Sequence, residues 1–116
     1  MLRVTSTKEY TRLRGSSAKV ITKYFLIIYL PESDAGRCSA GITVSRKIGN
    51  AVTRNRVKRR VKAFIQNLDM SACNYPFICN IIALPTVVDA SWLSICEDLK
   101  KALQKVQVNN LKGILK

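Results

Sequence analysis

Residues 45–68 read SRKIGNAVTRNRVKRRVKAFIQNL. At 100° per residue, Val57, Val61, Phe64, Ile65 and Leu68 fall within an arc of about 100°, the width of the stripe that a surface helix turns to a core. The rest of the helix is cationic. Arg54, Lys58 and Lys62 form a ridge at i, i+4 and i+8 along one margin of the stripe, Arg56 and Arg60 form a second along the other, and Arg59 stands between them. The pattern predicts a helix over 50–68 that docks through a narrow apolar face and turns a basic, acid-free surface outward.

The flanking segments supply the sheet. Upstream, 19–30 (KVITKYFLIIYL) is rich in β-branched and aromatic residues, long enough to be split in two, and followed by turn chemistry at 31–36 (PESDAG). The next stretch, 38–44 (CSAGITV), reads as a strand that pairs back on it as a hairpin. Nearer the start, Ser6 and Glu9 have capping-box spacing, and Tyr10 and Leu13 follow before Gly15, which suggests a short helix over about 6–14. Downstream, 75–84 (YPFICNIIAL) is a strand closed by Pro85. A cap at Asp89 or Ser91 then opens an amphipathic helix whose apolar members are Trp92, Ile95, Cys96, Leu99, Leu103 and Val106. The tail, 108–116, has no clear state. With no repeat and no break in composition, the chain is expected to be one α+β domain over 1–116, a sheet with helices on it.

The chain has 116 residues, 20 Lys and Arg against 7 Asp and Glu, a formal net charge of +13 and no histidine. The missing histidine removes the commonest neutral-pH base and metal ligand, and with it Ser-His-Asp triads, Cys-His dyads and histidine-containing zinc sites. The acids, Glu9, Glu32, Asp34, Asp69, Asp89, Glu97 and Asp98, are scattered, whereas a metal-dependent nuclease needs clustered carboxylates. Cys38, Cys73, Cys79 and Cys96 form no CxxC pair, a poor zinc pattern. The opening MLRVTSTKEY lacks the apolar stretch of a signal peptide, so the chain is expected in the cytoplasm with its thiols reduced. The apolar run 24–30 is far short of the roughly 20 residues that span a bilayer.

A surplus of this size draws a protein onto a polyanion. Nine basic residues, Arg37, Arg46, Lys47 and the six between 54 and 62, lie in 35–68 without a single acid. Like charges four apart destabilise an isolated helix by about 0.2–0.5 kcal/mol per pair, a sign that a bound polyanion reverses. Solvated faces normally mix charges. Arg at four of the six positions favours planar, bidentate phosphate contacts over simple solubility. A membrane-surface helix would need bulky apolar residues left free for lipid, and here the stripe is taken by the sheet. A DNA-binding helix-turn-helix would need a second helix a short turn before residue 50, and none is expected there.

The run from Ser45 to Arg59, with its GNAV lead-in, RNR centre and following KR, closely resembles the signature of the protein component of bacterial ribonuclease P. The flanks agree more loosely, Phe25 matching the family's first long strand and 77–83 its late apolar strand. The resemblance implies a single central, mostly antiparallel sheet of about four strands packed by three helices. It also implies a left-handed βαβ crossover of the ribosomal protein S5 domain 2-like kind, which contravenes the right-handed rule.

By the same resemblance, the protein assists ribonuclease P RNA in removing the 5′ leader of precursor tRNA. The hydrolysis belongs to that RNA and its Mg²⁺ ions, with no catalytic or metal-binding residue in this chain. Arg54, Asn55, Arg56, Lys58, Arg59, Arg60 and Lys62 fall on the family's RNA-contacting helix, and Arg46, Lys47 and Asn50 on the loop before it. Tyr10 and Phe25 match aromatic positions of a cleft that receives the single-stranded leader, with Leu13 near another such position; an aromatic face there can stack on any base, and the alternative for Tyr10 and Phe25 is ordinary core packing. Ile28 stands where the family often has an aromatic, and Leu84 where a basic residue is frequent. The expected partners are ribonuclease P RNA and precursor tRNA, with neither membrane nor DNA. A structural rRNA-binding ribosomal protein is the alternative, alike in composition.

Overall fold

Strands form where β-branched and aromatic residues concentrate, but they do not pair in chain order. The computed structural model describes residues 3–4, 18–31, 39–67 and 77–115. Its strands are β1 (Arg3–Val4), β2 (Lys19–Ile21), β3 (Phe25–Pro31), β4 (Ser39–Thr43) and β5 (Phe77–Ala83), in the spatial order β1-β4-β5-β3-β2. β3 pairs antiparallel with β2 and with β5, while β5 pairs parallel with β4 and β4 parallel with β1.

The hairpin expected between 19–30 and 38–44 therefore does not form, because β5 stands between β3 and β4. The reason lies in side-chain composition. Phe77, Ile78, Cys79 and Ile81 of β5 are all fully buried, so both faces of that strand are covered, and such a strand belongs in the middle of a sheet. β4 alternates Ala40 and Ile42 with Ser39, Gly41 and Thr43, apolar on one face only, and sits further out. With two parallel and two antiparallel pairings the sheet is mixed rather than mostly antiparallel. Four longer strands meet the expectation of about four, and the two-residue β1 adds a fifth at one edge. The segment 19–30 is indeed split, at a turn where Thr22 N–H donates to Phe25 O at 2.8 Å.

Two α-helices lie among the described residues, α1 (Ala51–Asn67) and α2 (Trp92–Leu115). The helix expected over 6–14 lies outside them. Ser91 rather than Asp89 caps α2, its Oγ accepting the Ser94 N–H at 3.2 Å. The tail is not without a state, since α2 runs on to Leu115. Leu99, Ala102, Leu103, Val106 and Asn110 are all buried at helical spacing, and the burial of a polar Asn110 hides the continuation of the stripe from a reading by hydrophobicity.

Both helices cover one face of the sheet. Val57, Val61 and Ile65 of α1 and Ile95, Leu99, Ala102, Leu103 and Val106 of α2 join one core with Val20, Phe25, Ile27, Tyr29, Ala40, Phe77, Cys79, Ile81 and Ala83. Alternation sends Leu26, Ile28, Leu30 and Ile82 to the other face, where they are half-buried and where Thr43 Oγ1 donates to Asn80 Oδ1 at 3.0 Å. Ile21, at the sheet's edge on that side, is 63% exposed.

Candidate nucleic-acid interface

The basic surface is assembled at the junction of β4 and α1. Beyond β4 the chain makes a 3-10 turn at Arg46–Ile48, in which Ile48 is buried and pins the turn to the core while Arg46 and Lys47 stay exposed. Gly49 follows with φ +149° and ψ −160°, a conformation that side chains rarely tolerate. Asn50 then caps α1. Its Oδ1 accepts the Thr53 N–H at 2.9 Å, and its carbonyl accepts the Arg54 N–H at 3.0 Å. No acid occupies the first turn of α1, so the helix itself carries no side chain that offsets the positive end of its dipole.

Along α1 the expected division holds, Leu68 lying outside the described residues. Val57, Val61 and Ile65 are buried and Phe64 half-buried, while Asn55, Arg56, Lys58, Arg59, Arg60 and Lys62 are exposed. Among the described residues, Val52, Asn55, Lys58, Arg59 and Lys62 line an open groove of about 520 Å³. The sequence pattern does not single out Val52. It is 67% exposed, and the only signal for it is an apolar residue placed three before Asn55 on the polar side of the helix.

Two cations stand apart. Arg54 is half-buried at the edge of the apolar stripe, and its Nε is buried with no acceptor among the described residues. A buried donor left unpaired costs about 1–3 kcal/mol. Arg60, on the opposite margin, has its guanidinium carbon 5.8 Å from the centre of the Trp92 ring at the start of α2.

Of the residues expected to form a leader cleft, Tyr10 and Leu13 lie outside the described residues. Phe25 corrects the expectation. The β3 register turns it towards the helices, where it is 0% exposed and has no ring face to offer a base. Ile28 is on the other face of the sheet, paired across to Asn80. Of the acids, Asp98 is held in the fold, accepting from Thr22 Oγ1 at 2.7 Å and Tyr24 N–H at 3.1 Å. Among the described residues no three His, Cys, Asp or Glu side chains gather as a metal site, and no helix is long and apolar enough to cross a membrane.

A basic helix entered through a glycine and an asparagine, packed across a β-α-β unit, is thus the chain's distinguishing feature, and the family profile described as ribonuclease P matches residues 1–107. The chain belongs to the ribonuclease P protein family. The ribonuclease P protein component of Streptococcus thermophilus is 31% identical over 102 residues, 88% of this chain and 89% of that protein. That of Halalkalibacterium halodurans is 41% identical over 64 residues, an alignment spanning 55% of this chain and about half, 54%, of that protein. The solved structure of the Staphylococcus aureus RNase P protein superposes with a TM-score of 0.75 over 91% of this chain and 95% of that one at 23% identity, a likeness of fold. The fold described here thus matches that of a solved ribonuclease P protein.

Proposed function

We propose that this chain is the RNA-binding protein subunit of ribonuclease P, and that α1 with its entry loop holds ribonuclease P RNA. The observation that carries the reading is the state of Arg54 within an acid-free surface. Its Nε finds no acceptor among the described residues, and a phosphate oxygen would supply one once the side chain swings outward, with Arg56, Lys58, Arg59 and Lys62 following the backbone along the exposed helix. Arg46, Lys47 and Asn50 add donors at the helix entry.

On this reading the RNA, with its Mg²⁺ ions, hydrolyses precursor tRNA to release the 5′ leader. This chain supplies binding and charge neutralisation in the cytoplasm. The leader would lie on the sheet face opposite the helices, near Ile28, and the family-based reading keeps Tyr10 and Leu13 as leader contacts. The left hand of the β4-α1-β5 crossover belongs to the same family-based reading.

The test is a salt titration of RNA subunit binding. Replacing Arg54 and Arg56 by Ala should weaken binding and flatten the plot of log K against log salt by about 0.7–0.9 for each phosphate that is no longer neutralised. An unchanged slope would remove these residues from the interface. Stimulation of precursor tRNA cleavage at lowered Mg²⁺ separates this function from that of a ribosomal protein, which would not stimulate it.

A further inference from the structure

The margin of α1 that carries Arg56 and Arg60 does not run out into solvent. Ala63, Phe64 and Asn67 continue it and, with Trp92, line a groove of about 230 Å³. Trp92 is the chain's single tryptophan and is 40% exposed. Phe64 packs on the core and fixes the inner wall, while Asn67 is held by its Nδ2 donating to the Ala63 carbonyl at 2.9 Å. Arg60 sits over the indole.

The groove is smaller than the roughly 300–1,000 Å³ of a small-molecule site, so its size suits one planar ring rather than a whole cofactor. Its lining includes two aromatic rings, Phe64 and Trp92, and the Arg60 guanidinium lies against the Trp92 ring; aromatic and guanidinium planes are the groups on which a flat base stacks. It is also continuous with the cations of α1, which attract the anionic backbone that would carry such a ring. A second copy of the chain fits poorly, because each copy brings a charge of +13.

We propose that this groove is a nucleobase site, in which an unpaired base of an RNA bound along α1 stacks on Trp92 beside Arg60. The inference rests on the reading of α1 as an RNA-binding helix and adds to it a contact that depends on single-strandedness.

The lone tryptophan reports on its own site. Titrating the full chain with a short single-stranded oligoadenylate should quench Trp92 fluorescence, whereas duplex RNA should bind through α1 without comparable quenching. Trp92→Leu should bind labelled oligoadenylate about five- to tenfold more weakly, the low end of what one stacked base contributes, and Trp92→Phe should recover most of the loss. Neither variant should change the salt slope, since every phosphate partner is retained. The double replacement of Arg54 and Arg56 should flatten that slope yet leave the quench at saturation. Equal quenching by duplex, or native affinity in Trp92→Leu, overturns the proposal. A fluorescence change with protein concentration alone, accompanied by a dimer in sedimentation, also overturns it and assigns the groove to a second copy. If neither RNA binds the native chain, the reading of α1 falls and this site with it, whereas an intact RNA affinity with a silent Trp92 removes only the base site.

Discussion

Thr22 and Asp98 stand 76 residues apart in the chain and share a 2.7 Å hydrogen bond, the hydroxyl donating to the carboxylate. The same oxygen accepts the Tyr24 N–H at 3.1 Å. One side chain of α2 thus clasps the turn between β2 and β3. Asp98→Ala is expected to cost about 1.5–3 kcal/mol, the range for hydrogen bonds to a charged group, and Asp98→Asn less because an acceptor oxygen remains. Urea denaturation of the two variants gives the order directly.

Asn50 offers a case in which stability and binding move in opposite directions. Asn50→Ala removes the cap on Thr53 and is expected to lose about 1 kcal/mol. Asn50→Asp keeps a capping oxygen and places a negative charge where the helix dipole favours it, so the thermal midpoint should hold or rise. RNA affinity should nonetheless fall, because the new charge faces phosphate, and the deficit should shrink as salt is raised. Equal RNA affinity of Asn50→Asp and the native chain at low salt would place this loop away from the backbone of the RNA.

Gly49→Ala forces a side chain into a backbone conformation costing about 1–3 kcal/mol. The added methyl would also lie 3.4 Å from Thr53 Cβ and Cγ2. Relief of that strain reorients the turn that carries Arg46 and Lys47, so RNA affinity should drop even where urea titration shows the fold intact. Native affinity in a folded Gly49→Ala chain would show that the loop cations are not positioned by this residue.

Burial pushes the Cys96 thiol above its usual titration range. In the folded chain it is protonated at neutral pH, and the thiolate appears only at higher pH than in an unfolded peptide. Iodoacetamide should modify Cys96 slowly at neutral pH, and faster in urea at the same pH, as followed by peptide mass spectrometry. Modification of the native chain as rapid as that of the unfolded chain would contradict this.

Local periodicity makes α1 legible, since Val57, Val61 and Ile65 report their face and the intervening cations report theirs. The same logic places α2 as far as Val106 and loses it at Asn110, a polar residue in a buried position. Pairing order is not legible. Nothing within 38–44 says that its neighbour is β5 rather than β3, because that choice depends on which strand has two faces to cover, a property of the whole sheet. Phe25 fails as a site residue for a related reason: a one-residue change of register moves a strand side chain to the opposite face, and sequence alone does not fix which face the helices take. The Arg60 contact with Trp92 joins residues from two helices and has no local signal at all.

The central place of β5 bears on how the chain acquires its structure during synthesis. β3 and β4 leave the ribosome long before β5, yet each has β5 as a neighbour and they are not paired with each other. The polycationic helix emerges in that interval, before the strand that completes its docking surface. Until residue 83 is made, its mutually repelling charges are not offset by burial of Val57, Val61 and Ile65, and the long-range pairings that supply this burial are slow to form. The basic segment is therefore the part of the nascent chain for which an early RNA contact would favour helix formation, and a chain truncated before β5 should lack the strand that joins β3 to β4.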